Sequence, residues 1–249
     1  MEFGKPQKYT ARVSDKYFIS DNERFLYVKF ELISPDRISY QAGQYVSIKI
    51  NDDGERRSYS IASTPDDNHG FHLLVEITQE GKGSEFLKKI EIGTEVEILA
   101  PLGRFAVNEP NRAVTQSKLL FVAMGSGIVP LWSMINDLLI NKAETRQMRL
   151  HWGMRSEEDL FFVDNLERLV QEHPNFVFDV VLSKPGEEWD LCTGHVQDCL
   201  SRDFSADGGQ GLVGWEGYVC GSPERVVEIC TKLEELGMKK EDIYHEKFT

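Results

Sequence analysis

The sequence predicts two domains in succession: an all-β half, folded as an antiparallel barrel or sandwich, and an α/β half built on a parallel sheet. Three observations carry that prediction. Strand-length runs with period-two alternation recur every ~10–15 residues through the first hundred positions. After Pro110-Asn111-Arg112 the rhythm changes to strand, helix, strand, helix. At that change the apolar run 119–123 leads into Gly125-Ser126-Gly127-Ile128-Val129-Pro130 and then a stretch of helical periodicity.

In chain order, residues 24–32 and 44–50 alternate as half-buried strands do. Turn chemistry separates them at Ser34-Pro35-Asp36, Asn51-Asp52-Asp53-Gly54 and Pro65-Asp66-Asp67-Asn68. One short helix is expected near 84–90. The boundary falls in the segment 108–117, giving domains of 1–112 and 113–249. Beyond it, Leu131, Met134, Ile135, Leu138 and Leu139 form one apolar helical stripe. A strand at 148–152, a helix at Val163–Glu172 and a strand at Phe176–Leu182 follow. A strand at 218–220 then enters a helix punctuated by Ser222 as N-cap, Pro223 at the first position and Gly237 past the end.

Composition narrows the class. The 249 residues are 41% hydrophobic and 28% charged, a globular balance. No apolar run nears the ~20 residues of a membrane span. The opening residues 1–6 carry no apolar signal core, so a reducing cytoplasm is expected. The formal charge of −13 is uneven: 15 Lys and Arg against 18 Asp and Glu in residues 1–112, and 13 against 23 beyond. Such a surface repels nucleic acid and anionic membrane, and neither is expected as a partner. The four cysteines, Cys192, Cys199, Cys220 and Cys230, contain no C-x-x-C pair, which argues against zinc, an iron–sulfur cluster or a disulfide frame.

Three segments carry candidate chemistry. Strand, glycine turn, helix is the context in which Gly125, Ser126 and Gly127 suit a nucleotide phosphate; Pro130 stands where the usual fingerprint has a third glycine. Arg57-Ser58-Tyr59-Ser60 offers a cation, an aromatic ring and two hydroxyls. A strand there points Arg57 and Tyr59 to one face, Ser58 and Ser60 to the other; an ordinary polar strand with an exposed arginine is the alternative. Gly81-Lys82-Gly83-Ser84 is a second glycine turn into a helix, suited to a phosphate or simply capped by Ser84.

Together and in this order, these segments resemble the ferredoxin–NADP reductase family. Further matching stretches are Ile92-Gly93, Ala100-Pro101-Leu102-Gly103-Arg104-Phe105, Cys220-Gly221-Ser222-Pro223 and the closing Glu246-Lys247-Phe248. The resemblance covers nearly the whole chain and implies a flavin-binding β-barrel followed by a nucleotide-binding α/β domain, with no added ferredoxin domain. It implies FAD as cofactor and NAD(P)H as hydride donor. Tyr59 would stack on the isoalloxazine, Arg57 would pair with the pyrophosphate, and Ser60 would hydrogen-bond near flavin N5. Gly83 and Ser84 would hold the pyrophosphate, and Leu74 and Val75 would reach the ribityl chain or ring edge. Gly125, Ser126 and Gly127 would receive the nicotinamide nucleotide's phosphates. Cys220 would lie against the nicotinamide, with Gly221 and Pro223 shaping that edge. Phe248 would cover the other flavin face, and Glu246 would tune protonation or position the nicotinamide. For Cys220 a small apolar filler is the competing reading.

Arg155 and Lys184, each just after a predicted strand, could grip a 2′-phosphate, so NADPH is the expected coenzyme. Glu157, Glu158 and Asp159 follow at once and dilute that field. The six histidines do not cluster with a nucleophile, and positional residues rather than an acid–base triad are expected. The acceptor is read as a protein such as ferredoxin or flavodoxin, docked by a local basic rim of Arg56, Lys82, Lys88 and Lys89. The alternatives are the reductase component of an oxygenase, an electron-transfer subunit of a larger complex, and a non-catalytic nucleotide-binding sensor.

Overall fold

The computed structural model describes residues 4–77, 81–108, 117–205 and 211–248. Most of the expected boundary segment therefore lies outside the described residues. The chain divides into two compact units, one of Met1–Val107 with Trp132–Lys142 and one of Asn108–Leu131 with Ala143–Thr249.

The first unit is built on β1 (Gln7–Phe18), β2 (Phe25–Ser34), β3 (Tyr45–Lys49), β4 (Arg56–Ser60), β5 (Gly70–Glu76) and β6 (Glu95–Leu102). All pair antiparallel, in the order β4-β3-β6-β1-β2-β5. A bridge between Ile61 and Leu73 joins the two edges, so the sheet closes as a barrel rather than a sandwich. Inward positions are filled by Val13, Val28, Phe30, Ile48, Phe71, Leu73 and Ile98, all fully buried, with Phe30 stacked on Phe71 at 5.0 Å. Each such side chain contributes roughly 1.5–3 kcal/mol by leaving water. Helix α1 (Lys82–Lys89) lies between β5 and β6 in sequence and sinks Leu87 into this core.

The second unit carries β7 (Lys118–Met124), β8 (Met148–Met154), β9 (Phe176–Leu182), β10 (Cys192–Thr193), β11 (Trp215–Gly221) and β12 (Ile243–Lys247). They form one parallel sheet in the order β10-β9-β8-β7-β11-β12. The order reverses at β7, and a parallel sheet binds ligands beyond the strand ends at such a switch point. Strand β7 is buried on both faces, which is why it reads as the unbroken run Leu119-Leu120-Phe121-Val122-Ala123. It ends in a single 3-10 turn, Gly125–Gly127, that feeds helix α2 (Ile128–Asn136), and the five stripe residues predicted for that helix and its continuation are buried. Helices α3 (Val163–Glu172), α4 (Val196–Phe204) and α5 (Pro223–Glu235) supply the crossovers.

One expectation fails here. Cys192 and Cys199 are joined in a disulfide, with Cα atoms 6.7 Å apart. The seven-residue spacing hides the approach from a sequence search. Cys192 opens the two-residue strand β10, Gly194 turns the chain at φ +97°, and Cys199 comes back as the fourth residue of α4.

Candidate functional site

On the barrel, β4 and α1 meet at a glycine. A Cβ built on Gly83 would lie 2.2 Å from Tyr59 Oη and 2.8 Å from Arg57 Cγ, so Arg57 and Tyr59 share the face of β4 on which α1 rests. Ser60 is buried and Ser58 exposed. Tyr59 is half-buried, and that burial pushes its phenol up to about 12, against the opposing pull of Arg57. Leu74 and Val75 are buried on β5, opposite Tyr27 and Leu26. The Ser84 hydroxyl donates to the Glu76 carbonyl at 3.4 Å, and Gly81, at the N-cap of α1, brings no side chain to its first turn.

The sequence reading missed a residue that organises this corner. Glu55 accepts from Arg57 Nη2 at 2.6 Å through Oε1 and from Lys82 Nζ at 2.9 Å through Oε2. Lys82 first and Arg57 second pull its carboxyl down to about 2. The signal was present: residues i and i+2 of a strand share a face, and Glu55 stands two before Arg57. The same contacts correct the expected basic rim. Lys82 is held by Glu55, Arg56 by Glu97 at 2.8 Å and Lys89 by Glu85 at 3.2 Å.

In the second unit, the glycine turn presses on β11. Gly125 has φ +58°, and its carbonyl accepts from Trp152 Nε1 at 3.1 Å. A Cβ on Gly127 would lie 2.2 Å from the Cys220 carbonyl oxygen, and one on Gly221 would lie 2.8 Å from Met124 Cε. Cys220 is fully buried, in register with Ala123 on one side and Glu246 on the other. Burial first, then the Glu246 charge, pushes its thiol up. Phe248 is half-buried and its N–H donates to the Gly221 carbonyl at 2.9 Å. Ser126 sits half-buried in the turn, and Pro223 opens α5. The strand ends of β7, β11 and β12 thus gather Gly125, Ser126, Gly127, Cys220, Gly221, Glu246 and Phe248.

Arg155 and Lys184 are exposed on neighbouring loops after β8 and β9, tied by a hydrogen bond of 2.7 Å from the Lys184 N–H to the Arg155 carbonyl. The acidic residues between them are partly committed elsewhere. The Glu157 carboxylate accepts from the Gly186 N–H at 2.9 Å, and Asp159 is buried beside Ser156. A pocket at this end of the sheet is lined by Met124, Gly153, Ser183, Gly194, His195 and Arg225, among others. The last three were not singled out from the sequence for this role, since a helix start and a turn carry no ligand-specific pattern.

Among the described residues, His151, Asp179 and Asp203 are the group whose atoms could converge on a metal ion. Arg149 already holds both carboxylates, at 2.8 and 2.5 Å, so the cluster is a half-buried ion network around a buried histidine. Burial keeps the His151 imidazole neutral down to about 4, despite the opposing pull of Asp179.

Two family models match the chain: an oxidoreductase FAD-binding domain over residues 10–107 and an oxidoreductase NAD-binding domain over residues 121–232. The chain is 30% identical over 226 residues to ferredoxin–NADP reductase B of Sorangium cellulosum, covering 89% of this chain and 90% of that protein. It belongs to the ferredoxin–NADP reductase family. Another family relative is the reductase component of phenol 2-monooxygenase from Pseudomonas sp. (strain CF600), 31% identical over 245 residues, 97% of this chain and 66% of that protein. The cytochrome P450 reductase GcoB of Amycolatopsis superposes with a TM-score of 0.86 at 27% identity, over 98% of this chain and 70% of that one. The chain spans between about half and two thirds of the length of several curated relatives. Within this family member the FAD-binding match contains Arg57, Tyr59, Gly83 and Ser84, and the NAD-binding match contains Gly125–Gly127 and Cys220. Glu246 and Phe248 lie beyond it.

The residues present fit those two groups. At Gly83 and Gly127 a side chain would collide with Tyr59 and with the Cys220 carbonyl, so glycine lets each turn pack on its neighbour and keeps side chains off two helix starts, whose main-chain N–H groups are of the kind that receive a phosphate. Arg57 engages Glu55 through one Nη2 contact and Arg56 through Nη1, so its planar fork, with five donors, keeps capacity for an anion.

Proposed function

We propose that this chain is an FAD-dependent NAD(P)H oxidoreductase that passes electrons to a protein acceptor, a ferredoxin, a flavodoxin or an oxygenase component. Bound FAD supplies the ring that takes hydride from the nicotinamide and releases the electrons onward. The close approach of Gly83 to Arg57 and Tyr59 is the observation that carries this reading, because it sets an aromatic face, a cation and an uncapped helix start together.

On the barrel, Tyr59 stacks on the flavin, Arg57 with the Gly83 and Ser84 amides grips the pyrophosphate, and Ser60 donates near N5. The Leu74 and Val75 backbone meets the ring edge or ribityl chain. In the second unit, Gly125, Ser126 and Gly127 receive the dinucleotide's phosphates. Cys220, with Gly221 and Pro223, shapes the nicotinamide edge, Glu246 positions that ring, and Phe248 covers flavin. Arg155 and Lys184 favour NADPH, against the diluting charges of Glu157, Glu158 and Asp159. Ordinary domain limits of 1–112 and 113–249 and a cytoplasmic location complete the proposal. The oxygenase-component reading draws support from the phenol 2-monooxygenase relative.

The test is a yellow purified protein whose flavin is identified after release and bleached anaerobically by NADPH and by NADH in parallel. Acceptors are then compared across a salt series. At −13, with three rim cations already paired, an acidic acceptor gains no long-range steering, so its reduction should not fall steeply with salt. A colourless protein that takes up no flavin on reconstitution overturns the reading.

A further inference from the structure

The Cys192–Cys199 link encloses six residues, Thr193 to Asp198, and four of them line the pocket at the carboxyl ends of the parallel strands: Gly194, His195, Val196 and Gln197. Thr193 belongs to β10 and Val196 to Asp198 to the first turn of α4, so Gly194 and His195 form the turn between them. Gly194 donates to the Leu182 carbonyl at 2.9 Å, and His195 and Asp198 form a reciprocal cap on the first turn of α4. Val196 packs so closely over Gly153 that a Cβ on that glycine would lie 2.5 Å from Val196 Cγ2. A shift of the loop therefore moves a pocket wall.

Both cysteines are buried in the folded unit, so exchange requires a local opening. Strand β10 is two residues long and forms the edge of the sheet, paired to β9 alone. Short edge strands open locally at low cost, so Cys192, though buried in the folded unit, is exposed by fraying rather than by global unfolding. Cys192 and Cys199 share one apolar cluster with Val196 and Leu200, Cys192 on the two-residue edge strand and Cys199 within α4. The remaining cysteines, Cys220 and Cys230, are unpaired.

We propose that Cys192 and Cys199 form a reversible dithiol–disulfide pair that sets nicotinamide-nucleotide affinity, the disulfide form binding tighter. This rests on the reading of the second unit as the nucleotide site. Oxidation uses a low-molecular-weight or protein disulfide. One thiolate attacks it to give a mixed disulfide and release the first thiol, and the second cysteine displaces the other. Two electrons and two protons pass to the oxidant, leaving two thiols. The closed bond pre-organises Gly194–Gln197 in the pocket's shape, and the reduced loop must be ordered on binding. By linkage, saturating nucleotide shifts the thiol–disulfide equilibrium towards the disulfide by the same factor.

The experiment uses the full chain with its flavin, equilibrated in glutathione buffers or in dithiothreitol. Maleimide labelling under denaturing conditions, read by intact mass, should count two thiols in the oxidised protein and four in the reduced. Titration calorimetry with NADP+ and NAD+ should give a Kd about fivefold or more higher for the reduced form. The Cys192→Ser/Cys199→Ser variant should bind like the reduced protein whether or not dithiothreitol is present. Four thiols under every buffer, or equal Kd values in the two wild-type forms, overturn the proposal and leave the nucleotide reading standing. Nucleotide bound by neither form removes the nucleotide reading and the proposal with it. The wild-type comparison decides even if the double variant does not fold.

Discussion

Replacing Gly83 by alanine tests the barrel site at its tightest point. The added methyl would lie 2.2 Å from Tyr59 Oη, 2.8 Å from Arg57 Cγ and 3.2 Å from Arg57 Cβ. The Tyr59 ring is stiff and Arg57 Cβ is close to its own backbone, so neither yields without moving off the face it shares with α1. Inside a helix, glycine to alanine gains about 0.5–1 kcal/mol of backbone entropy. Overpacking costs about 1–3 kcal/mol. The apoprotein should therefore lose between nothing and about 2.5 kcal/mol in urea unfolding, and stay folded. Flavin binding should suffer more: displacing the ring loses a stack of about 0.5–1.5 kcal/mol, and displacing the guanidinium loses a charged hydrogen bond of about 1.5–3 kcal/mol. Together these raise the FAD Kd about 30-fold to 2,000-fold, read by quenching of flavin fluorescence on titration of apoprotein. In a Tyr59→Phe background the clashing oxygen is gone, so the unfolding cost of Gly83→Ala should shrink. Undiminished FAD affinity in a folded Gly83→Ala protein would refute the close-approach argument.

Three other outcomes follow from contacts already described. Glu55→Gln releases Arg57 and Lys82 and should raise the FAD Kd by about twofold to fivefold, the range of an exposed ion pair, while riboflavin, which has no phosphate, binds as before. Because Glu55 is depressed to about 2 from the usual carboxylate value, its pairing is present above that ordinary value and is lost only as pH falls through about 2, so FAD affinity should show no Glu55-linked step between pH 8 and 5. Cys220→Ala should slow anaerobic flavin bleaching by NADPH in stopped flow while flavin content holds; equal loss of both would mark Cys220 as packing alone. For His151 burial lowers the proton affinity of the folded protein below the ordinary imidazole value, so stability should fall as pH drops below that value, and His151→Leu should flatten the slope of urea midpoint against pH.

What the sequence made legible follows from the range of the forces involved. The buried strand β7 and the helices α3 and α5 announce themselves through local patterns, an apolar run, a 3.6-residue stripe, a proline and a glycine at the ends, and the structure places them where those patterns put them. Strand β1 went unread. Residues 8–14 do alternate, with Tyr9, Ala11 and Val13 buried between more exposed neighbours, so this strand was legible and was overlooked; its pairing carries register shifts at Thr10/Ala11 and Val13/Asp15. Strands β10 and β12 were invisible, one because two residues hold no period, the other because its half-exposed pattern depends on β11 lying beside it.

The same distinction governs the sites. Arg57 with Tyr59, and Gly125 with Gly127, lie within three residues of each other, and strand or turn geometry alone decides what they face. Glu55 with Lys82, Gly83 with Tyr59, and Cys192 with Cys199 are pairs made by folding, each joining an element to the turn or helix that follows elsewhere in the chain. Charge shows the point most sharply. Arg56, Lys82 and Lys89 read as a cationic rim when counted along the sequence, yet Glu97, Glu55 and Glu85 meet them in space, and Glu97 approaches Arg56 only because β6 and β4 both flank β3. A docking surface on this barrel therefore leans more on shape and short-range contacts, since three of the four expected rim cations are paired and the long-range field is weaker than the residue count suggested.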